Sequence, residues 1–366
     1  MPSPRPSLSL LVCAALVLLL AACGGASEGS EKGGVAEGTV APALSEVDVA
    51  EDPRAFTGQV TVEVDDPIDP VADAPQPSLP VTLTDAQGTK VTVTDTSRVL
   101  ALDLYGTLSR TVFELGMGDS LVGRDLSTQF AEADDLPLVT GQGHDLNAEA
   151  LLELDPTLII TDTSLGPWDV ILQMRDAGIP VVVVDSSRNL DNVSEITEMV
   201  AAALGVSEAG ADLAARTDSE ITQMQADIAA VAPPESERLR TVFLYVRGAA
   251  NVYYMFGKGS GATDLIDAAG GYDVTEEIGW SGMRPVTAEG LVAAQPELVV
   301  MMTKGLESTG GVDGLLEKLP ALAQTPAGEN ERFVTIDDSL ILGYGPATAQ
   351  VLNGLAVAIL APEALS

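Results

Sequence analysis

A fourteen-residue pattern occurs twice in this chain, and it constrains the fold more than any other feature. Asn147-Ala148-Glu149-x-Leu151-x-x-x-x-Pro156-x-Leu158-Ile159-Ile160 returns as Thr287-Ala288-Glu289-x-Leu291-x-x-x-x-Pro296-x-Leu298-Val299-Val300, without an internal gap. Each copy reads as a capped helix, a proline stop and a buried strand. Helix, proline, strand is common punctuation, but Ala-Glu-x-Leu in the same register is less easily a coincidence. The chain therefore reads as two similar α/β lobes.

The surrounding sequence fits this. Residues 79–84 and 90–94 alternate around Asp85-Ala86-Gln87-Gly88, a hairpin that opens the folded part. Strand-like runs follow at 99–104, 157–161 and 180–185, with helical runs at 108–115 and 168–177 between them. That βαβ rhythm implies a parallel sheet wrapped by helices. Residues 190–232 form a long helical stretch in which Gly205 marks a break or kink, and Pro233-Pro234 ends it. A second α/β unit has strands at 240–246, 251–256, 297–302 and 333–336, and a last helix starting near Pro346. The expected architecture is two Rossmann-like lobes, 78–189 and 233–366, joined by a long linking helix over 190–232, with a ligand cleft between them. One long helix should resist hinge opening, so the lobes should move little.

The N-terminus addresses the protein to a membrane. Arg5 precedes a short apolar core, Leu8 to Leu20, too short for a membrane span and suited to a signal peptide. Leu20-Ala21-Ala22-Cys23 then resembles the bacterial lipobox, where the signal (1–22) is removed and Cys23 is lipidated. The chain has two cysteines; Cys13 would leave with the signal, and Cys23 would become the anchor at the extracellular face. No thiol would remain for disulfides or catalysis. Residues 23–77, rich in Gly, Ala, Ser, Pro and acids, read as a lipidated disordered tether.

The balance of 54 acidic against 18 basic residues, net −36, opposes nucleic-acid binding, because phosphate is repelled by such a surface. It suits a soluble exported domain, read as a monomer. Any cation in a cleft gains significance against that background.

Only one histidine occurs. His144 lies in Gly141-Gln142-Gly143-His144-Asp145-Leu146-Asn147, a glycine-loosened loop leading to a helix start. One imidazole cannot build a multi-histidine zinc site. It can supply one axial bond to a metal whose other positions are filled, as in haem. Taken alone, a single histidine is more often a surface or core residue.

Two α/β lobes, a linking helix, a lipobox and the repeated Ala-Glu helix start resemble the substrate-binding proteins of ABC importers for iron complexes, cobalamin and haem. The resemblance covers about residues 79–366 and includes Gly259-Ser260 leading to Leu265-Ile266-x-Ala268-Ala269-Gly270-Gly271. Gly-x-Gly-His-x-Leu-Asn-Ala-Glu with Tyr245-Val246-Arg247-Gly248 is most similar to the haem-binding lipoproteins of Gram-positive haem importers. The resemblance implies that His144 and Tyr245 hold ferric iron axially and that Arg247 supports the tyrosine. A neighbouring positive charge favours phenolate over phenol, and phenolate suits ferric iron. It also implies haem b as transported ligand, an ABC permease and ATPase complex as partner, and Glu149 and Glu289 as permease-docking residues. Such glutamates are favoured in a helix's first turn in any case. The acidic tether is longer than the family needs.

Candidate walls and propionate partners are Tyr105, Trp280, Met283, Met301, Met302 and Arg284, which aligns with His144 through the repeat; Arg124 and Lys258 are weaker candidates. Asp145 is a candidate to orient His144. Other readings stay open. The same scaffold could take a ferric siderophore or cobalamin, or store or sense haem without transport. Gly257-x-Gly259-x-x-Ala262 alone is a weak dinucleotide signal for an enzyme; otherwise nothing points to catalysis.

Overall fold

The computed structural model describes residues 34–366 except Gln142. The signal segment and Cys23 lie outside the described residues.

Strands, in chain order, are β1 (Gly38–Val40), β2 (Gln59–Glu63), β3 (Val81–Thr84), β4 (Lys90–Val93), β5 (Val99–Leu102), β6 (Leu158–Thr161), β7 (Val181–Val183), β8 (Arg240–Arg247), β9 (Val252–Phe256), β10 (Tyr272–Asp273), β11 (Met283–Pro285), β12 (Leu298–Met302) and β13 (Phe333–Ile336). The first lobe is built on the parallel sheet β5-β6-β7, beside the antiparallel β3-β4 hairpin. Residues alternate between its two faces. Val99, Ala101, Leu158 and Ile160 enter one core and Leu100, Leu102 and Ile159 the other. A sheet buried on both faces needs such unbroken apolar strands. The second lobe repeats this: Leu298 and Val300 pack on one side of β12, Val299 and Met301 on the other.

Helices carry the repeat into geometry. Those of the first lobe are α1 (Thr107–Glu114), α2 (Ala148–Glu153) and α3 (Trp168–Asp176). Then come α4 (Val193–Leu204), α5 (Ser207–Val231), α6 (Ala262–Ala268) and α7 (Ala288–Ala294). Asn147 caps α2 by accepting from the backbone N–H of Glu149 and Ala150, and Thr287 caps α7 by accepting from Gly290. Asp155 and Gln295, each just before its proline, both adopt φ 44°. The two copies thus share caps, stops and even a left-handed backbone position.

The break expected at Gly205 is present: Gly205 takes φ 75° and ends α4, so the linking element is two helices. α4 belongs to the first lobe's core, while α5 connects the lobes: Ala209 and Leu213 pack in the first, Ile221 and Ile228 in the second. Two expectations change. The last helix begins at Thr348, with Ala347 as its cap, beyond Pro346.

The tether to residue 77 is the larger correction. β1 and β2 join the second lobe's sheet, in the order β1-β2-β13-β12-β8-β9-β11 with β10 beside β8. Val60 and Val62 are buried there, and Leu44 N–H donates to Asn353 Oδ1 at 2.8 Å. The chain then crosses to the first lobe. The buried Arg110 of α1 holds Asp66 through both guanidinium ends (2.7 and 2.8 Å), and Val71 N–H donates to the Glu114 carbonyl at 2.9 Å. The lobes therefore have two connections, a helix and a strap. β1 and β2 are short and their segment is acidic, so its composition imitated a solvated linker.

Candidate functional site

The carboxyl ends of the first lobe's strands point toward the second lobe, where open α/β sheets place ligands. Asp103 follows β5, Asp162 follows β6, and Arg188 lies beyond β7. Arg188 is buried and donates to Asp162 at 2.7 Å and to Asp103 at 3.4 Å. Asp125 accepts from Asp103 N–H and, through its other oxygen, from Ser127 and Thr128. Burial is the main cause that pushes the Asp103 and Asp125 carboxyls upward. Two carboxylates on one guanidinium, with Asp125 tying the loop that follows to the end of β5, make a firm floor.

Above that floor, a cleft of ≈ 840 Å³ separates the lobes. His144 lines it from the first lobe, and Tyr245 and Arg247 line it from β8 of the second. His144 is half-buried in a tight turn, with Gly141 N–H donating to the Asp145 carbonyl at 2.7 Å. Its φ is 69°, a left-handed conformation that costs a non-glycine residue about 1–3 kcal/mol. Its Nδ1 faces Ser127 Oγ at 3.4 Å. Ser127 rather than the exposed Asp145 is thus the side chain bonded to the imidazole, and no local pattern marks it. Burial first, then Arg247 and Lys304, lower the His144 pKa, which favours neutral imidazole.

Tyr245 and Arg247 share a face of β8, as residues two apart on a strand must. Arg247 Nε donates to the Tyr245 hydroxyl, and its guanidinium lies 5.6 Å from the Tyr245 ring centre. Phe256 on the neighbouring strand stacks on Tyr245 at 5.9 Å. The walls are apolar at Leu104, Leu126, Val246 and Met302.

Other candidates separate. Met302 and Arg124 line this cleft, and Lys304, which sequence reading missed, joins them. Tyr105 lines an adjoining ≈ 190 Å³ cavity and stacks on Arg188 instead. Trp280 donates its indole N–H to the Met255 carbonyl at 2.8 Å and packs in the second lobe's core. Arg284 is on an edge strand, β11, held over Trp280 and bonded to Ser281, and does not line the cleft. The repeat begins only after β11, which pairs antiparallel with β9, so Arg284 does not sit in a counterpart of the His144 loop. Met301 is core, Met283 is exposed, and Lys258 pairs with Glu276 at 2.9 Å. Glu149 and Glu289 are exposed in the first turns of α2 and α7. The Gly257–Ala262 loop follows β9, which runs antiparallel to both its neighbours, so it lacks the parallel βαβ setting of a dinucleotide site.

The chain belongs to the periplasmic binding protein family, whose model matches residues 104–340. Its members are substrate-binding proteins, and the repeated lobes and open cleft fit that class. The solved structure of the heme binding protein HmuT is 41% identical, with a TM-score of 0.80 over 84% of this chain and 99% of that one. An uncharacterised ABC transporter substrate-binding lipoprotein, YvrC of Bacillus subtilis (strain 168), is 24% identical over 76% of this chain and 85% of its own length. A cobalamin-binding protein of Halobacterium salinarum is 30% identical over 61% of this chain and 58% of its own. The resemblance read from the sequence motifs and these likenesses agree.

Proposed function

We propose that this protein is a membrane-anchored receptor that captures ferric haem between its lobes and delivers it to an ABC permease and its ATPase. The observation that carries the reading is that the only histidine and Tyr245, one from each lobe, line the same apolar-walled cleft. With Nδ1 turned to Ser127, Nε2 is the nitrogen left for an axial bond. Neutral imidazole is the form a metal needs, and the positive neighbours of His144 favour it. Arg247 supports the tyrosine by its hydrogen bond to the hydroxyl. The cleft volume falls in the range that encloses a ligand of this size.

Glu149 and Glu289 sit on matching helices at the repeat's spacing and suit docking to two permease subunits. Cys23 would carry the lipid. Only residues 24–37 separate it from β1, a reach of at most about 50 Å, so the receptor stays close to the membrane.

Haemin titration into the purified protein should give a Soret band that His144→Ala and Tyr245→Phe each displace or weaken. A band untouched by either substitution overturns the axial assignment. A second reading, cobalamin, is favoured by the Halobacterium salinarum relative's name. It predicts corrinoid binding that is indifferent to both substitutions.

A further inference from the structure

In a chain with 54 acids and 18 bases, a cation has carboxylates to choose from. Arg110, Arg188 and Arg216, for example, are each engaged with at least two. Arg124 and Lys304 differ. Both line the cleft, one from each lobe, and neither forms an ion pair among the described residues. Arg124 spends one nitrogen, Nη1, on the Thr128 carbonyl at 3.0 Å; its Nε is buried without a hydrogen-bond partner, as in Arg110, Arg188 and Arg216, but here no carboxylate meets the guanidinium. Lys304 Nζ reaches across to a neutral acceptor, Gln129 Oε1, at 2.7 Å.

The acids lining the cleft, Asp134 and Asp338, form no ion pair with either among the described residues, although Lys304 is near enough to pull the Asp338 carboxyl down against its burial. Asp338 accepts from the backbone N–H of Lys304 at 3.0 Å, and burial raises its carboxyl pKa. Arg124 is partly buried, and a partly desolvated cation without a counter-charge is costly unless a ligand supplies one; Lys304 is exposed and held only by a neutral group.

We infer that Arg124 and Lys304 are the specificity residues that receive the two carboxylates of a planar, dianionic macrocycle, one from each lobe. Lys304 releases Gln129 to do so. The inference rests on the haem reading and adds a basis for discrimination. A macrocycle whose side chains are neutral amides leaves both cations unanswered, and unmet charge rejects a ligand more strongly than lost apolar contact does.

The test compares haemin with its dimethyl ester, which keeps the iron and the plane but removes both negative charges. The full chain, Arg124→Gln, Lys304→Gln and Lys304→Arg are titrated by absorbance, with melting temperatures as a check on folding. The unsubstituted protein should prefer haemin over the ester. Each glutamine substitution should shrink that preference about tenfold, the worth of one charge-assisted contact, and Lys304→Arg should restore much of it. An unchanged preference in folded Arg124→Gln and Lys304→Gln overturns this inference alone. Failure of the unsubstituted protein to give a Soret band with either porphyrin overturns the haem reading and this inference with it.

Discussion

His144 shows how a single residue can be legible in type and illegible in setting. Its isolation in a glycine-rich loop marked it from the sequence, yet its left-handed backbone and its neighbour Ser127 exist only once the loop is folded over Asp125. The same floor depends on Gly106. Its φ is 73°, and a Cβ there would lie 2.6 Å from the Ser127 carbonyl oxygen. Gly106→Ala therefore meets both backbone strain and a clash. It should cost about 1–3 kcal/mol and weaken haem binding by shifting Ser127, measurable by thermal melting and haemin titration in parallel. On the opposite wall, Arg247→Ala removes the partner of the Tyr245 hydroxyl but not the ligand itself. Its haemin affinity should fall between that of the unsubstituted protein and Tyr245→Phe; a loss equal to or greater than that of Tyr245→Phe contradicts a supporting role.

Among the elements, the segment before residue 77 was misread and the repeat was read well. The repeat was legible because caps, prolines and apolar runs are local signals whose spacing survives in one dimension. β1 and β2 were not, because their stability comes from pairing with β13, far away in sequence. Removing residues 34–66 would strip Leu44, Val60 and Val62 from the second lobe's core and expose the β13 edge. At about 1.5–3 kcal/mol per buried apolar side chain, such a chain should aggregate or melt far below one starting at residue 34, as scattering and calorimetry would show. The paired helices α4 and α5 carry a similar hidden constraint. A Cβ on Gly210 would lie 2.3 Å from that of Ala201, so Gly210→Val should push the helices apart at a cost of about 1–3 kcal/mol, read from denaturant unfolding.

For the molecule as a whole, buried carboxylates set the pH response. Asp66 is raised to about 6, mainly by burial, and Asp103 and Asp125 are raised for the same reason. Between the ordinary carboxylate range and these raised values the native state holds more protons than the unfolded chain. Stability therefore grows as pH falls toward 5 and is lost as pH rises through about 6. Relief of the −36 charge acts in the same sense. Calorimetry should find a higher melting temperature at pH 5.5 than at pH 8, by about 2 °C or more; the reverse order contradicts the assignment of these groups. Lobe motion belongs to this scale too. α5 and the strap both resist opening, so small-angle scattering should register little change in radius of gyration on haem loading. By itself the sequence determined the two lobes, most strand positions and the isolation of His144, because periodicity and capping are properties of a chain in order; Tyr245 and Arg247 were marked only by likeness to a family motif. Only the tertiary structure decided that Lys304 and Arg124 share the cleft with them, that Arg284, Trp280 and Tyr105 do not, and that a segment resembling a linker is part of a sheet. Those outcomes depend on which distant surfaces meet when the strands pair and the lobes face each other, and no local pattern records that.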